Sequence, residues 1–176
     1  DDVPTVFLLL DNLRFDQWKV IEPIISEKYW IQSEDYFFSI LPTTTQYSRN
    51  AIFSGMLPAE IEKFYPDWWI NDKEEGGKNL KEPDLLANLI KRVIRRDIKH
   101  EYIKITNAAK GKQLVDNALN LLKNNFTAIV YNFIDMLSHA RTEMEVLKEL
   151  ASDEVAYRSL TRSWFLHSPL WVTLQK

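Results

Sequence analysis

Three short segments of the sequence combine residue types that could activate a hydroxyl group or hold a metal ion. Asp11 follows the apolar run 5–10, and Thr45 stands directly before a stretch with helical spacing. Asp135 and His139 follow a second apolar run and are four residues apart. Carboxylate, hydroxyl and imidazole groups are the ligands and nucleophiles of two-metal phosphoryl-transfer sites. Together the three segments predict a metal-dependent site for phosphate chemistry.

Each segment also fits a purely structural interpretation. Asp11 is a favoured N-cap residue for the helix that follows it, and any of the threonines 43–45 could cap the next one. Asp135 and His139 could form an ordinary hydrogen-bonded pair. A helical turn between them would instead place both on one side, where they could share a metal. Imidazole with carboxylate suits zinc or manganese, and the residues alone leave these alternatives open.

Two arginines extend the candidate site. Arg49 lies four residues after Thr45, so one helical turn would bring it back toward the Thr45 hydroxyl. The helix dipole and the orphan backbone N–H groups at this helix start would attract a phosphate. The alternative is that Arg49 is a solvated helix residue. Arg14, three residues after Asp11, is a weaker candidate for substrate contact.

Composition limits the class of protein. The 176 residues are 45% hydrophobic, which is enough for a folded core, and the net charge of −3 argues against a dedicated nucleic-acid binder. Cysteine is absent, so a metal must be held by Asp, Glu, His or hydroxyl oxygen. The longest apolar run, 6–10, is too short to cross a bilayer, and no signal-peptide pattern is present. A cytoplasmic location without a membrane span is therefore expected.

The elements that must position these residues alternate between apolar strands and amphipathic helices. The fully apolar runs 5–10 and 127–133 are typical of strands buried on both faces of a parallel sheet. This order predicts an α/β sheet with functional loops at the carboxyl ends of its strands. The full set of predicted elements is strands at 5–10, 36–41, 100–105 and 127–133, helices at 15–25, 47–56, 85–96 and 112–123, and three helical segments after 142.

The segments resemble the PglZ domain of the alkaline-phosphatase superfamily, and most closely the C-terminal effector domain of PorX-type response regulators, which are associated with control of type IX secretion. Superfamily members place an aspartate ligand after the first strand, which falls on Asp11. Their nucleophile stands ten residues before a glycine, here Gly55, which places it at Thr45. Sulfatase-like members have an arginine four residues after the nucleophile, here Arg49, which could contact the nucleophile or a phosphate oxygen.

A second motif of the superfamily, Asp-x-x-Gly-His, falls on Asp135 and His139, with Ser138 in place of the glycine. The resemblance implies an alkaline-phosphatase-like fold, a mainly parallel sheet flanked by helices, and two zinc ions. Asp11 and Thr45 would hold one ion, and Asp135 and His139 the other.

The superfamily completes both metal sites with an Asp-His pair and a final His that do not follow in this sequence. Residues 1–176 are therefore expected to be a partial domain that is incomplete at its C-terminus. The complete parent would be a zinc-dependent phosphodiesterase or phosphatase with Thr45 as nucleophile, acting as the effector of a response regulator. The chain by itself is expected to be inactive.

The expected partners are a phosphate-ester substrate, with nucleotides and oligonucleotides among the candidates, and the receiver domain of the parent chain. A second copy of the chain could pair along an uncovered sheet edge. A different class of function is a regulatory or protein-interaction module on the same fold, without catalysis. The stretch 64–83, predicted as an irregular insertion or lid with Trp68 and Trp69 partly exposed, would suit such docking. The intact ligand positions favour catalysis in the parent.

Overall fold

Strands and helices alternate along the chain, as the sequence predicts for the α/β class. The computed structural model describes residues 3–71 and 74–176, so residues 72 and 73 of the predicted insertion 64–83 lie outside the described residues. The chain divides into two units: the first is formed by Asp1–Tyr36 with Ile103–Lys176, and the second by Phe37–Tyr102.

Three strands form one sheet in the order β1–β3–β2, with bounds β1 Thr5–Leu10, β2 His100–Ile105 and β3 Phe126–Tyr131. The sheet is parallel, and the register of β1 with β3 pairs residue 5 with residue 126 and Leu10 with Tyr131. The central strand β3 is buried from Thr127 onward, as its apolar sequence predicts. The first half of β1 is exposed, so the expected burial on both faces is wrong there. Within the described residues β1 has a neighbouring strand on one side only, so its side chains have fewer cross-strand contacts.

The described residues contain ten α-helices and one short 3₁₀-helix. None of these helices combines the length and the apolar character that crossing a membrane requires. Their bounds are α1 Phe15–Ser26, α2 Thr45–Ser54, α3 Pro58–Phe64, the 3₁₀-helix Pro66–Trp68, α4 Glu82–Ile94, α5 Ala108–Asp116, α6 Ala118–Leu121, α7 Phe133–Glu143, α8 Glu145–Leu150, α9 Glu154–His167 and α10 Pro169–Leu174.

The core of the first unit lies between the sheet and the helices α1, α5, α9 and α10. Gln17 on α1 donates a hydrogen bond to Thr161 on α9, 2.8 Å away, and both side chains are buried. Asp153 and Ser168 cap α9 and α10 by accepting hydrogen bonds from backbone N–H groups. Apolar burial drives the packing, and the core residues are Ile21, Ile24, Ile105, Leu114, Leu121, Ile129, Tyr131, Phe165, Leu170 and Trp171.

The second unit is helical, with α2 packed against α4. Phe53 is buried on α2, and Leu85 and Ile90 are buried on α4, which matches the amphipathic spacing of both segments. Gly55 ends α2 in the left-handed conformation with φ of +62°. The left-handed backbone favours glycine here, and a Cβ atom at Gly55 would lie 2.8 Å from Cδ1 of Leu89, so the Leu89 side chain would have to shift.

Most predicted elements are present, with shifted ends. The predicted helix 112–123 is divided into α5 and α6 at Asn117, and the three helical segments after 142 are α8, α9 and α10. The predicted strand 36–41 is wrong, because these residues have no regular secondary structure. Its aromatic residues favour strands only where a neighbouring strand packs against them, and Phe37 and Phe38 are instead exposed.

Of the two tryptophans of the predicted insertion, Trp68 is partly exposed as expected, whereas Trp69 is more buried. Trp69 is buried, makes an edge contact with the Tyr47 ring at 5.5 Å and donates a hydrogen bond from Nε1 to Asn71 at 3.2 Å. Trp68 is half-buried and stacks on Tyr65 with centroids 4.7 Å apart. The expectation that Trp69 is part of an exposed docking surface is therefore wrong. The apolar indole packs inside the second unit because burial is favourable and its one polar atom finds an acceptor.

Substituting Gly55 should destabilise the protein for two separable reasons. We expect Gly55→Ala to lower the free energy of unfolding by about 1–2 kcal/mol from the left-handed backbone alone, with an added cost from the Leu89 contact. In a urea-unfolding cycle, the penalty of Gly55→Ala should be smaller in a Leu89→Ala background, where the contact is removed. Equal penalties in both backgrounds would show that the Leu89 contact contributes nothing.

Candidate functional site

Asp11 stands at the carboxyl end of β1. Its backbone N–H donates to the carbonyl oxygen of Tyr131 at 3.1 Å, which continues the pairing one residue beyond the strand. Asn12 follows with φ of +61°, and this left-handed residue turns the chain toward α1. The Asp11 side chain is only 6% exposed. A carboxylate in this position must be compensated by hydrogen bonds or cations.

The capping interpretation of Asp11 is wrong. The N-cap of α1 is Arg14, three residues further on, and its backbone N–H donates to Oε1 of Gln17 at 3.0 Å. Asp11 therefore does not cap this helix. It is placed at the sheet edge by the strand, in the position that the resemblance assigns to a metal ligand. Its role as a ligand stays a prediction.

Asp135 and His139 extend from α7, which follows β3. The N–H of Asn132, between strand and helix, donates to the carbonyl oxygen of Ile105 at 3.1 Å, so this junction lies at the carboxyl ends of β2 and β3. The turn between Asp135 and His139 is helical, which is the condition for both side chains to reach one metal ion. Asp135 Oδ1 and His139 Nε2 are 3.7 Å apart, which is longer than a hydrogen bond, so the ordinary hydrogen-bonded pair does not form.

The separation of these two atoms is slightly longer than that of two ligands of one zinc ion. Ligand atoms about 2.0–2.2 Å from a tetrahedral zinc lie roughly 3.3–3.6 Å from each other. Asp135 is partly buried, whereas the His139 side chain is 69% exposed, and Nδ1 of the ring lies 4.0 Å from Oε1 of Glu143. The imidazole thus stands between two carboxylates, each of them farther away than a hydrogen bond.

The metal requires more ligands than this pair. Over residues 3–71 and 74–176, no group of three or more His, Cys, Asp or Glu side chains could hold a metal ion. Asp135 and His139 fit two positions of a zinc site, and a zinc site normally has at least three protein ligands. The donor chemistry therefore fits the zinc that the resemblance implies, as part of a coordination sphere.

Thr45 is the first residue of α2 and belongs to the second unit. Thr44 occupies the N-cap position, and its side chain makes no capping hydrogen bond. The Thr45 side chain is half-buried, and its carbonyl oxygen accepts a hydrogen bond from Nδ2 of Asn79 at 3.3 Å. Thr45 as the nucleophile, and its position next to the first-unit ligands, stay predictions.

Arg49 is buried on α2 and pairs with Glu82 at the start of α4. Nε of Arg49 donates to Oε1 of Glu82 at 2.7 Å, and Nη2 donates to Oε2. The hydroxyl of Tyr102 also donates to Oε2. Burial, with the adjacent Glu82 carboxylate, raises the pKa of Tyr102, so this phenol stays protonated. The solvated interpretation of Arg49 is wrong, whereas its contact with a nucleophile or phosphate stays a prediction.

Sequence reasoning missed Glu82 and Tyr102. Glu82 lies 33 residues from Arg49, and an acidic residue in the first turn of a helix is ordinarily explained by the helix dipole. No local spacing connects the three residues. The pair fastens the helix that begins at Thr45 to α4, so it supports the candidate nucleophile indirectly.

Arg14 is the centre of a second charged network, in the first unit. It donates to Asp16 from Nε at 2.9 Å and from Nη2 at 2.7 Å, and Nη2 also donates to Glu154. Glu154 is shared with Arg141, whose Nη1 lies 3.0 Å away. Arg14 and then Arg158 hold the pKa of Asp16 below its usual value, while Arg14 and then Arg141 lower the pKa of Glu154.

The parallel α/β sheet, with an acidic residue after β1 and an Asp/His pair after β3, has the form of an alkaline-phosphatase-like domain. The model of one family, described as the BREX system PglZ alkaline phosphatase-like domain, matches residues 1–173. The chain belongs to this family. No curated protein matches the chain.

The buried charge of the second unit should make Glu82 sensitive to neutralisation. We expect Glu82→Gln to lower the free energy of unfolding by about 1.5–3 kcal/mol, because a neutral amide replaces the buried carboxylate that accepts two hydrogen bonds from Arg49. Glu62→Gln, on the exposed side of α3, is the matched control and should change stability by less than about 0.5 kcal/mol. Urea unfolding compares the two variants, and equal stabilities would contradict the inferred role of the pair.

The Arg14 network should make stability depend on pH on the acid side. Asp16 and Glu154 have folded pKa values below their ordinary 3.8 and 4.5, so their contribution is present above those values and is lost as pH falls through the folded ones. Stability should therefore decrease below about pH 5. The loss should be small, because both side chains are exposed and screened by water.

Combining Asp16→Asn with Glu154→Gln should flatten part of this acid dependence in urea-unfolding curves recorded between pH 3 and 6. The control pair is Asp116→Asn with Glu149→Gln, two exposed acids that form no ion pair among the described residues. If both double variants keep the same acid slope as the original protein, the Arg14 network does not determine it.

Proposed function

We propose that this chain is the nucleophile-bearing part of a zinc-dependent phosphate-ester hydrolase, with phosphodiesters as the favoured substrates. The observation that supports the proposal is the common carboxyl edge of β1 and β3, where Asp11 and the Asp135–His139 pair follow adjacent strands. Membership of an alkaline phosphatase-like family suggests a phosphoesterase in general. The nucleophile, the metal and the diester specificity are our proposal.

In this proposal Asp11 and Thr45 would hold one zinc ion, and Asp135 and His139 would hold the other, each pair supplying part of a coordination sphere. Bound zinc would lower the pKa of a coordinated hydroxyl and offset negative charge on the phosphate. The Thr45 hydroxyl would lose its proton to solvent, and its oxygen would attack phosphorus as the bond to the leaving alcohol oxygen breaks and that alcohol takes up a proton. Water would then cleave the bond between Thr45 and phosphorus, which releases a phosphomonoester from a diester substrate and restores the hydroxyl. Orphan N–H groups in the first turn of α2 favour the charge that develops on the nonbridging oxygens.

The finer biological assignment follows the resemblance to PorX-type effector domains. We propose that residues 1–176 are a single partial domain of a cytoplasmic response regulator, with a receiver domain elsewhere in the parent chain and a second copy as a candidate partner. The excursion 64–83 would be its insertion or lid. A parent sequence without a receiver domain would contradict this assignment and leave the hydrolase proposal intact. A purely docking function is less favoured, because Trp69 is buried.

Thr45→Ala in the complete parent protein should lower turnover of a chromogenic phosphodiester, in the presence of zinc, by at least about a thousandfold, because no other group replaces a lost covalent nucleophile. Thr43→Ala is the matched control, since Thr43 is exposed and precedes the helix by two residues. It should retain most activity. Thermal melts of both variants should agree with that of the original protein.

Activity of Thr45→Ala near the original level, with the loss appearing in Thr43→Ala or Thr44→Ala instead, would move the nucleophile to that threonine. Full activity in all three variants would contradict threonine as the nucleophile. An unchanged rate after chelation of metal would contradict the zinc-dependent mechanism.

A further inference from the structure

A pocket of about 410 Å³ opens in the first unit beside the carboxyl end of β1 and the middle of α7. The charged residues that line it are all basic: Arg14, Arg141 and Lys148. Asn12, Ser138 and Thr142 add amide and hydroxyl groups. Among the described residues that form its wall there is no carboxylate. The volume lies within the roughly 300–1,000 Å³ that small-molecule sites occupy.

The two guanidinium groups are held by the same aromatic ring. Cζ of Arg141 lies 4.5 Å and Cζ of Arg14 lies 5.4 Å from the ring centroid of Tyr157, which is buried and also lines the pocket. Nε of Arg141 donates to the carbonyl oxygen of Ala151 at 2.9 Å. Cation–π contact and these hydrogen bonds restrict both groups, so less side-chain entropy is lost when a ligand binds.

Donors remain after the internal pairing is satisfied. Arg14 uses Nε and Nη2, and Arg141 uses Nε and Nη1, so within the described residues Nη1 of Arg14 and Nη2 of Arg141 have no acceptor. Lys148 has one recorded acceptor, Glu145, for three N–H bonds. The side chains of Asn12 and Ser138 make no hydrogen bond with the described part of the chain. The pocket is therefore rich in unused donors.

We propose that this pocket binds the phosphate group of a small phosphorylated molecule. Two guanidinium groups, one ammonium group and the neighbouring neutral groups offer more hydrogen-bond donors than a ligand with a single carboxylate could accept. A phosphate group offers at least two nonbridging oxygens and up to two negative charges, and arginine forks match this geometry. The site contains neither Thr45 nor the predicted zinc ligands, so it stands independently of the proposed hydrolysis.

Glu154 sets the affinity of the pocket. Its carboxylate bridges Arg14 and Arg141 and is itself exposed, so it occupies donors that an incoming phosphate could take. Removing its charge frees these donors and makes the local potential more positive. Glu154→Gln should therefore strengthen phosphate binding by about threefold or more, which corresponds to less than one charge-assisted hydrogen bond.

The test is titration of the full chain with inorganic phosphate and, in a parallel arm, with phenyl phosphate, in metal-free buffer of low ionic strength with chelator. Calorimetry gives the affinity, and amide shifts of Asn12, Ser138 and Thr142 in ¹⁵N spectra give the location. Arg141→Gln and Lys148→Gln should each weaken binding by about tenfold, the loss of one charge-assisted hydrogen bond. Tighter binding of phenyl phosphate would identify an ester rather than free phosphate as the ligand.

Arg162→Gln is the matched control, since Arg162 is exposed on α9 and does not line the pocket. It should leave the affinity within about twofold, below a 0.5 kcal/mol change. Equal weakening by Arg162→Gln and Lys148→Gln would overturn the proposal, because bulk charge would then explain binding. Absence of saturable binding at millimolar phosphate would also overturn it. Lys148 has only an exposed pair with Glu145, so its variant remains informative if Arg141→Gln unfolds.

Thr45→Ala separates this site from the proposed hydrolysis. It should bind phosphate in metal-free buffer with unchanged affinity, whatever its turnover in the parent protein. Loss of binding in this variant would place the phosphate at Thr45 and overturn the assignment to the pocket. If the hydrolase proposal fails, Arg141→Gln and Lys148→Gln should still weaken phosphate binding.

Discussion

The parallel pairing of β1 with β3 is the constraint on which the candidate ligands of the first unit depend. Because Leu10 is opposite Tyr131, Asp11 and Asn132 leave the sheet at the same level, and the Asp11 N–H extends the pairing. A shift of one residue would move every β1 side chain to the opposite face. Leu8 and Leu10 oppose such a shift, since both pack against the core and would be moved away from it. The acids therefore reach one edge because of the apolar residues before them.

Buried charge imposes a comparable constraint on the second unit. Arg49 and Glu82 lose nearly all contact with water, and each is tolerated because the other, with Tyr102, provides hydrogen bonds. Such a pair adds little net stability compared with apolar residues of similar volume, but only one mutual position of α2 and α4 satisfies it. The space beside Gly55 is limited by Leu89 of α4, which a Cβ atom at position 55 would approach to 2.8 Å. The helix that begins at Thr45 is thus held by specific contacts in its middle, at Arg49, and at its C-terminal end, at Gly55.

The parts of this structure that depend on local sequence could be predicted, and the parts that depend on distant partners could not. The apolar run of β3 and the helical turn joining Asp135 to His139 follow from spacing along the chain. The predicted strand 36–41 failed because strand propensity expresses packing against a neighbour, which local sequence does not specify. For the same reason the Glu82 partner of Arg49 left no local signal. Local sequence likewise does not determine whether Thr45 belongs to the same site as the predicted ligands of the first unit.

Helix α7 connects the predicted metal ligands with the basic pocket. At about 100° per residue, Asp135 and His139 project on one side of this helix, while Ser138 and Arg141 project from the adjacent side. The acidic and basic groups are thus separated on two faces of one short element and do not neutralise each other. Carboxylates alone would repel a phosphate, whereas a cation held by them would reverse that effect. A phosphate in the pocket would then lie beside the metal face, attracted by fixed cations even before any metal is bound.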